Sequence, residues 1–513
     1  MKKTAEKSGF SGIGFILAAA GSAVGLGNLW SFPYKTSQNG GAAFVFVYVF
    51  NVIILGAVVM IAETYLGRRA QANPVSAYKK ANRNLGWIGL LSVIVPMLIT
   101  CYYIVIGGYT VKFTMNSFSD NSQALAAFAG NTGEGILYSA VFLILAVAVV
   151  TAGIKNGIEK ASKVLMPVMF IILVGVVIYC LCLGSGVSAG LDYYLNPDFA
   201  ELGLKGVLAA MSQAFFSMSI GVGVMISYGS YTGKNVHIGR AAVWIAFFDT
   251  LVALLAGLAI FPAIYHYQAE TGIELQNSGI VLLFYSMPVI FETLGAAGKI
   301  LSFFFFGMVA IAALTSVISM LEVMTQFLIQ RWSITRKKAI KAVGAVAYAV
   351  SVPIGISLGY SISGREGMTV AGRNLLDLFD LAVSSVFIPL CALGACIALG
   401  WCAFKWKNAK EALSCGALRD KLREDGLELG RFGKLFALMI KYVAPPIIIF
   451  IDVIGIIDIV FPSVEGQRTF SANGLAIVAV ACAFVGAAVA FYFLRLKDRD
   501  TGTNADEANN GRK

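Results

Sequence analysis

Asp249 stands in the middle of AVWIAFFDTLVALLAGLAIF, a run with no other charge. An ionisable side chain in such a run is costly and marks a functional site by default. A structural Asp bonded to neighbouring polar groups is the competing reading. Three further groups share its setting: Asn28 among Gly21, Gly25 and Gly27; Ser217 and Ser219 beside Gly221 and Gly223; and the adjacent pair Thr315 and Ser316. Buried amides and hydroxyls need partners. Together with carbonyls freed where glycine lets a helix unwind, they form the all-oxygen ligand set that a hard cation prefers. Simpler readings exist for each part. Gly21-x-x-x-Gly25 suits close helix packing, and Thr315 and Ser316 can bond back to their own helix. Glu63, a second acid in an apolar run, reads as structural, an acceptor for unwound backbone amides of the first and sixth spans.

The elements that must position these groups are membrane helices. Of 513 residues 58% are hydrophobic and 13% charged, with a mean hydropathy of +0.78, too few charges for the surface of a soluble chain. Apolar runs of about 18 residues or more recur throughout, each long enough to cross hydrocarbon as a helix. The short alternating segments of a membrane barrel are missing. Hydropathy predicts about twelve spans, near 11–36, 43–67, 87–115, 136–153, 164–184, 206–232, 240–265, 298–330, 339–360, 374–403, 435–461 and 472–495.

The net charge of +11 is distributed in a way that excludes nucleic acid as its reason. Lys and Arg fall in alternate short loops, beginning with Lys2, Lys3 and Lys7, then Arg68 to Arg83, and ending with Arg495, Lys497 and Arg499. That alternation places both termini in the cytoplasm and requires an even number of spans. No cleavable signal is expected, since the first apolar stretch runs on into Gly-rich polar sequence.

The first and sixth spans are each interrupted by glycines, at roughly 1 kcal/mol apiece against alanine in a helix interior. Two interrupted spans five helices apart point to an inverted five-helix repeat with a site at mid-membrane. The expected organisation is therefore an all-α polytopic membrane protein. It comprises an N-terminus 1–10, a first repeat 11–184, an external loop 185–205 and a second repeat 206–403. A linker 404–434, two last helices 435–495 and a polar tail 496–513 complete it. Within the second repeat, 275–296 is broken by Pro288 and reads as a re-entrant or capping external hairpin. The linker is amphipathic and basic and reads as a cytoplasmic-surface helix.

Enzyme chemistry is poorly served. The two histidines, His237 and His266, lie near span ends, the eight cysteines contain no CxxC pair, and there is no nucleophile–base pair or nucleotide loop. A channel would need a ring-forming filter motif, which the sequence lacks.

The stretch GSAVGLGNLWSFPY (Gly21–Tyr34), with Asn39-Gly40-Gly41 downstream, resembles the first-span signature of the neurotransmitter:sodium symporter family. Tyr102-Tyr103, QAFFSMSIG (Gln213–Gly221) and Leu314-Thr315-Ser316 add to the likeness. The resemblance implies the leucine-transporter type of fold, with spans 1–5 and 6–10 as the repeats, and spans 1 and 6 unwound. It implies import of an amino acid driven by sodium ions, the only cofactor expected. The bilayer and the amino acid are the partners, and the inner or plasma membrane is the location. An amino-acid sensor that binds without cycling is the alternative.

Carried over residue by residue, one sodium would meet the Ala23 carbonyl, Asn28, Ser217 and Asp249. The other would meet the carbonyls of Gly21, Val24 and Ala312 and the hydroxyls of Thr315 and Ser316. The substrate carboxylate would face the amides of Leu26 and Gly27 and the Tyr103 hydroxyl. Its amine would face the carbonyls of Ala23, Phe216 and Ser217 and the Ser219 hydroxyl. Ile99, Phe216, Val222, Ser316 and Met320 would line the side-chain pocket. Relatives that carry amines have Asp where this chain has Gly25, which favours an intact amino acid. Asp249 stands where the family often has a neutral Asn, which implies transport without chloride. In the outer gate, Ser31 stands where the family often has Arg, so Lys35 is expected to face Asp380, above Phe216. Tyr231 matches the cytoplasmic gate, with no evident charged partners.

Overall fold

A computed structural model describes residues 9–461, apart from 120–123, 234, 276–278, 366–367 and 371–372, and scattered positions from 463 to 489. Lys2, Lys3, Lys7, Lys234, most of the span expected at 472–495, and the tail lie outside the described residues.

The chain is helical, as its composition requires in lipid. The first span is two helices, α1 (Gly12–Ala23) and α2 (Gly27–Gln38), bent by 44° across the break. There follow α3 (Ala42–Ala70), α4 (Arg83–Met115), α5 (Thr132–Thr151) and α6 (Ile154–Leu181). The sixth span is again two helices, α7 (Phe199–Ser217) and α8 (Val224–Ser230). After α9 (Ile238–Thr271) comes α10 (Gly279–Thr293), and then α11 (Gly295–Trp332), α12 (Arg336–Ile362) and α13 (Leu375–Cys402). The last two described helices are α14 (Cys415–Glu424) in the linker and α15 (Gly430–Ile457). Among the described residues, nine continuous helices are long and apolar enough to cross a membrane, and the bent pair α1–α2 makes ten.

Two local expectations differ from the structure. Within 275–296, Gly279–Thr293 forms one helix, α10, rather than a hairpin, and at about 22 Å it is shorter than a ~30 Å bilayer core. The loop 185–205 holds a helix, Val187–Leu195, and the first turns of α7, which kinks at Gly203 (φ 56°). In the linker, part of the apolar face is turned into the protein. Leu418 and Leu422 of α14 are buried in the protein, because hydrophobic side chains at i and i+4 share one helix face.

The central helices are the ones that carry the polar groups. Asn28, Gln213, Asp249 and Glu322 are wholly buried. The faces of α5, α6 and α9 turned away from them expose Ile144, Ile171 and Val243, as lipid contact requires.

Candidate transport site

The two breaks meet each other. α1 ends at Ala23, and Val24 turns extended (φ −71°, ψ 101°). Opposite, α7 ends at Ser217, and the chain passes through left-handed backbone at Ser219 (φ 53°), Gly221 (φ 76°) and Gly223 (φ 70°) before α8 begins. At Gly221 a Cβ would stand 2.3 Å from the Ile388 carbonyl oxygen, and at Gly223 2.4 Å from that of Ser92. Both the torsion and the space therefore demand glycine there. Ser219 takes the same strained torsion with a side chain. Its hydroxyl donates to the Ser22 carbonyl at 2.9 Å, which ties one break to the other.

Against this crossing lies Asp249. The Ser217 hydroxyl stands 2.8 and 2.9 Å from its two carboxylate oxygens, the Asn28 amide donates to it at 2.9 Å, and the Tyr48 hydroxyl donates at 3.2 Å. Tyr48 is also 3.1 Å from Ser217. Asn28 turns its amide nitrogen to this cluster, while its oxygen accepts from the Gly25 amide at 3.1 Å. To offer oxygen to a cation beside Asp249, that side-chain amide must turn over and give up the Gly25 bond.

The second group of expected ligands sits on the other side of α1. A Cβ on Gly21 would be 3.5 Å from Thr315 Cβ. The Thr315 hydroxyl donates to the carbonyls of Ala312 (3.0 Å) and Ile311 (3.2 Å), and the Ser316 hydroxyl to those of Ala312 and Ser22, both at 3.2 Å. Gly21, Ala312, Thr315 and Ser316 are thus brought together beside the break at Val24. The back-bonding that the sequence allowed is present as well, so cation ligation there would have to displace it.

Where the two breaks meet is a small cavity of about 20 Å³. Its walls carry Ala23, Gly27, Ile99, Tyr103, Phe216, Ser219, Val222, Ser316 and Met320, all expected, and Ser22 and Gly25 in addition. Leu26 and Ser217 are buried but stand behind the walls. The first amides of α2 have no acceptor within their own helix and form the positive end of its dipole. A Cβ at Gly25 would lie 2.3 Å from the Ser316 hydroxyl oxygen, so the missing side chain is part of the cavity's shape.

Above Phe216 a wide vestibule opens, with Trp30, Lys35, Asp377 and Asp380 on its wall. The Lys35 ammonium is 5.9 Å from the Phe216 ring centre and near enough to Asp380 to interact with its charge. Tyr102 donates to Asp380 at 3.0 Å. On the opposite face, which carries Gly9 to Ser11, the path is shut. The Tyr231 hydroxyl donates to Glu322 at 2.7 Å, and Arg336 pairs with Glu322 at 2.6 Å. Phe10 packs edge-on against Tyr228 and Tyr231. The partners of Tyr231 that the sequence did not reveal are these two residues. Glu322 carried a signal, as a third acid in an apolar helix, whereas Arg336 begins a different helix. Glu63 accepts from the Gly221 amide at 2.9 Å, but its other oxygen has no partner among the described residues. The bond expected from the first span is not made.

Two broken helices crossing over a small cavity, with buried oxygen groups on either side, define a secondary transporter. The chain belongs to the sodium:neurotransmitter symporter family, whose model matches residues 10–127 and 124–494. It is 37% identical over 399 residues to a sodium-dependent transporter of uncharacterized role, YhdH of Bacillus subtilis, covering 75% of this chain and 85% of the relative. It is 26% identical to the sodium- and chloride-dependent GABA transporter 2 of Bos taurus, over 76% of this chain and 71% of the relative. Among solved structures it is similar to MhsT in complex with L-phenylalanine. The TM-score is 0.77 at 34% identity, over 87% of this chain and 99% of that one. Its family is one of transporters, not enzymes.

Proposed function

We propose that this chain imports a neutral amino acid with a hydrophobic or aromatic side chain, coupled to sodium ions and without chloride, by alternating access. The observation that carries the reading is the fixed carboxylate of Asp249, bonded directly to Ser217 and Asn28, the chain neighbours of the cavity-lining residues Phe216 and Gly27. Sodium is the co-transported cargo. In this reading one ion sits among Asp249, Ser217, the turned Asn28 amide, the Ala23 carbonyl and the substrate carboxylate. The other uses the carbonyls of Gly21, Val24 and Ala312 with Thr315 and Ser316. A negative charge that is part of the protein removes the need for an anion beside the first ion.

The substrate class follows from the cavity. The amides of Leu26 and Gly27 at the start of α2 and the Tyr103 hydroxyl suit a carboxylate, and the carbonyls and hydroxyl around Ser219 suit an amine. Ile99, Val222 and Met320 leave the remaining wall apolar. Lys35, Asp380 and Phe216 would close the vestibule side in turn with Tyr231, Glu322 and Arg336 on the opposite side. The latter is the cytoplasmic side if the basic loops obey the positive-inside rule, with both termini there.

The deciding experiment is uptake of labelled phenylalanine into proteoliposomes under an inward sodium gradient, with a panel of unlabelled amino acids as competitors. Uptake should require sodium and persist when gluconate replaces chloride. Loss of uptake on chloride removal rejects the chloride-free part, and no uptake of any amino acid rejects the whole.

A further inference from the structure

The linker between α13 and α15 is fastened to α13 and α15 near its ends and to α3 through α14, and Arg69 of α3 also donates to the Ala403 carbonyl and lies 4.5 Å from the Phe404 ring centre. Near α13 and α15, two ammonium groups approach the Trp406 ring, Lys441 at 4.6 Å and Lys421 at 5.0 Å from its centre, and its indole N–H donates to the Trp401 carbonyl at 2.8 Å. A buried lysine held by ring faces and carbonyls gives a lasting anchor.

The far end holds α3. α14 closes with Gly426 in left-handed backbone (φ 85°) and the Leu427 amide bonded to the Leu422 carbonyl at 2.8 Å, a helix stop that fixes the direction of the last turn. From that turn, the Asp425 carboxylate accepts from the Tyr65 hydroxyl and pairs with Arg69 at 3.1 Å, and the Gly426 carbonyl accepts from Arg68 at 2.9 Å. All three partners are on the last turns of α3.

That end of α3 is joined to α8, the second half of the broken sixth span. A Cβ on Gly67 would be 1.9 Å from the Ile226 carbonyl oxygen, and one on Gly229 2.2 Å from that of Thr64. Glycines at both positions let the two backbones pack directly against each other. Arg68 also donates to the Val236 carbonyl at 3.1 Å, just beyond α8. A restraint on Asp425 therefore acts on the half-helix that must shift when the N-terminal face opens.

We infer that the linker is a tether on the opening of the transporter, with Asp425 as its releasable catch on the α3–α8 body. The inference rests on the alternating-access reading given above. The catch is half in water: Arg69 and Asp425 are 27% and 41% exposed. Such a pair with one added hydrogen bond sets a rate or an equilibrium within about 3- to 10-fold, enough to tune opening and too little to prevent it. Asp425 touches neither cavity nor vestibule, so it is a positioning residue.

The test is hydrogen–deuterium exchange by mass spectrometry on the full chain in lipid nanodiscs, with Asp425→Asn, Tyr65→Phe and Asp425→Glu. The first two should speed exchange about 3- to 10-fold in 224–236 and at the end of α3, leaving α4 unchanged, and Asp425→Glu should lie nearer to the wild type. In sodium-energised proteoliposomes, the initial rate of phenylalanine uptake should rise by a similar factor. Faster exchange confined to 415–432, or no change, overturns the tether. If exchange responds as stated but the wild type carries no amino acid, the tether stands and the transport reading falls. Tyr65→Phe keeps the test decisive should Asp425→Asn fail to fold.

Discussion

The hydroxyl of Ser217 lies 2.8 and 2.9 Å from the two oxygens of the Asp249 carboxylate. One of these residues ends a helix at the break in the sixth span, and the other is the buried acid in the middle of α9. Their contact converts a charge in the scaffold into a charge at the site. Replacing Asp249 by Asn keeps the shape and removes the charge. Hydrogen bonds to a charged group are worth about 1.5–3 kcal/mol, so the sodium concentration for half-maximal uptake should rise by roughly 10- to 100-fold. Sodium titration of phenylalanine uptake checks this, and an unchanged titration would remove Asp249 from the ion's surroundings.

Gly25 gives a prediction about substrate. An Asp there would bring its Cβ within 2.3 Å of the Ser316 oxygen and set a carboxylate near the place where the substrate's own is expected. Two like charges at such a distance disfavour each other strongly. Gly25→Asp should weaken phenylalanine binding at least ~30-fold, read by equilibrium binding to the purified protein. Binding as tight as the wild type would place the substrate elsewhere.

How much of this could be read in the sequence depended on how unusual each residue is in lipid. Asn28, Ser217 and Asp249 stood out because polar groups inside apolar runs are rare, and the structure brings the three into one cluster. Gly221 and Gly223 announced the break for a similar reason. Tyr48 did not, because a tyrosine in a membrane span is ordinary and its two bonds to the cluster are tertiary facts. The Arg336–Glu322 pair was hidden by a turn, since no helical periodicity links residues on different helices. The linker's protein contacts were not legible in its amphipathic pattern, which is the same whether the apolar face meets lipid or protein. Those contacts are made with Tyr65, Arg69 and Lys441, none of them in the linker.

Lys35 is placed to test the outer gate. Its ammonium lies over the Phe216 ring, at 5.9 Å from the ring centre, on the vestibule wall that also carries Asp380. Lys35→Ala should lower the initial rate of uptake about 3- to 10-fold, as loss of one partly desolvated cation with its ring contact would. Lys35→Arg should recover part of it. Kinetics identical to the wild type would mean the ammonium has no part in closing the vestibule.

The N-terminal face depends on Glu322, which is fully buried and bonded by both Tyr231 and Arg336. Breaking a buried pair costs about 3–5 kcal/mol, because the remaining charge keeps its desolvation without its partner. Glu322→Gln keeps the size and the bond from Tyr231 but removes the carboxylate charge that Arg336, 15% exposed, pairs with at 2.6 Å. The state in which this face is shut should therefore lose most of its advantage. A cysteine placed at Ser227, buried behind Tyr231, reports the change through its labelling by a membrane-impermeant maleimide in open membrane fragments. The Glu322→Gln background should raise the labelling rate at least ~10-fold and lower the melting temperature of the purified protein. Tyr231→Phe should give a smaller rise of the same sign, since it removes one hydrogen bond and no charge. Equal labelling in all three backgrounds would show that Phe10 and the aromatic packing around it hold the face shut without the charged pair.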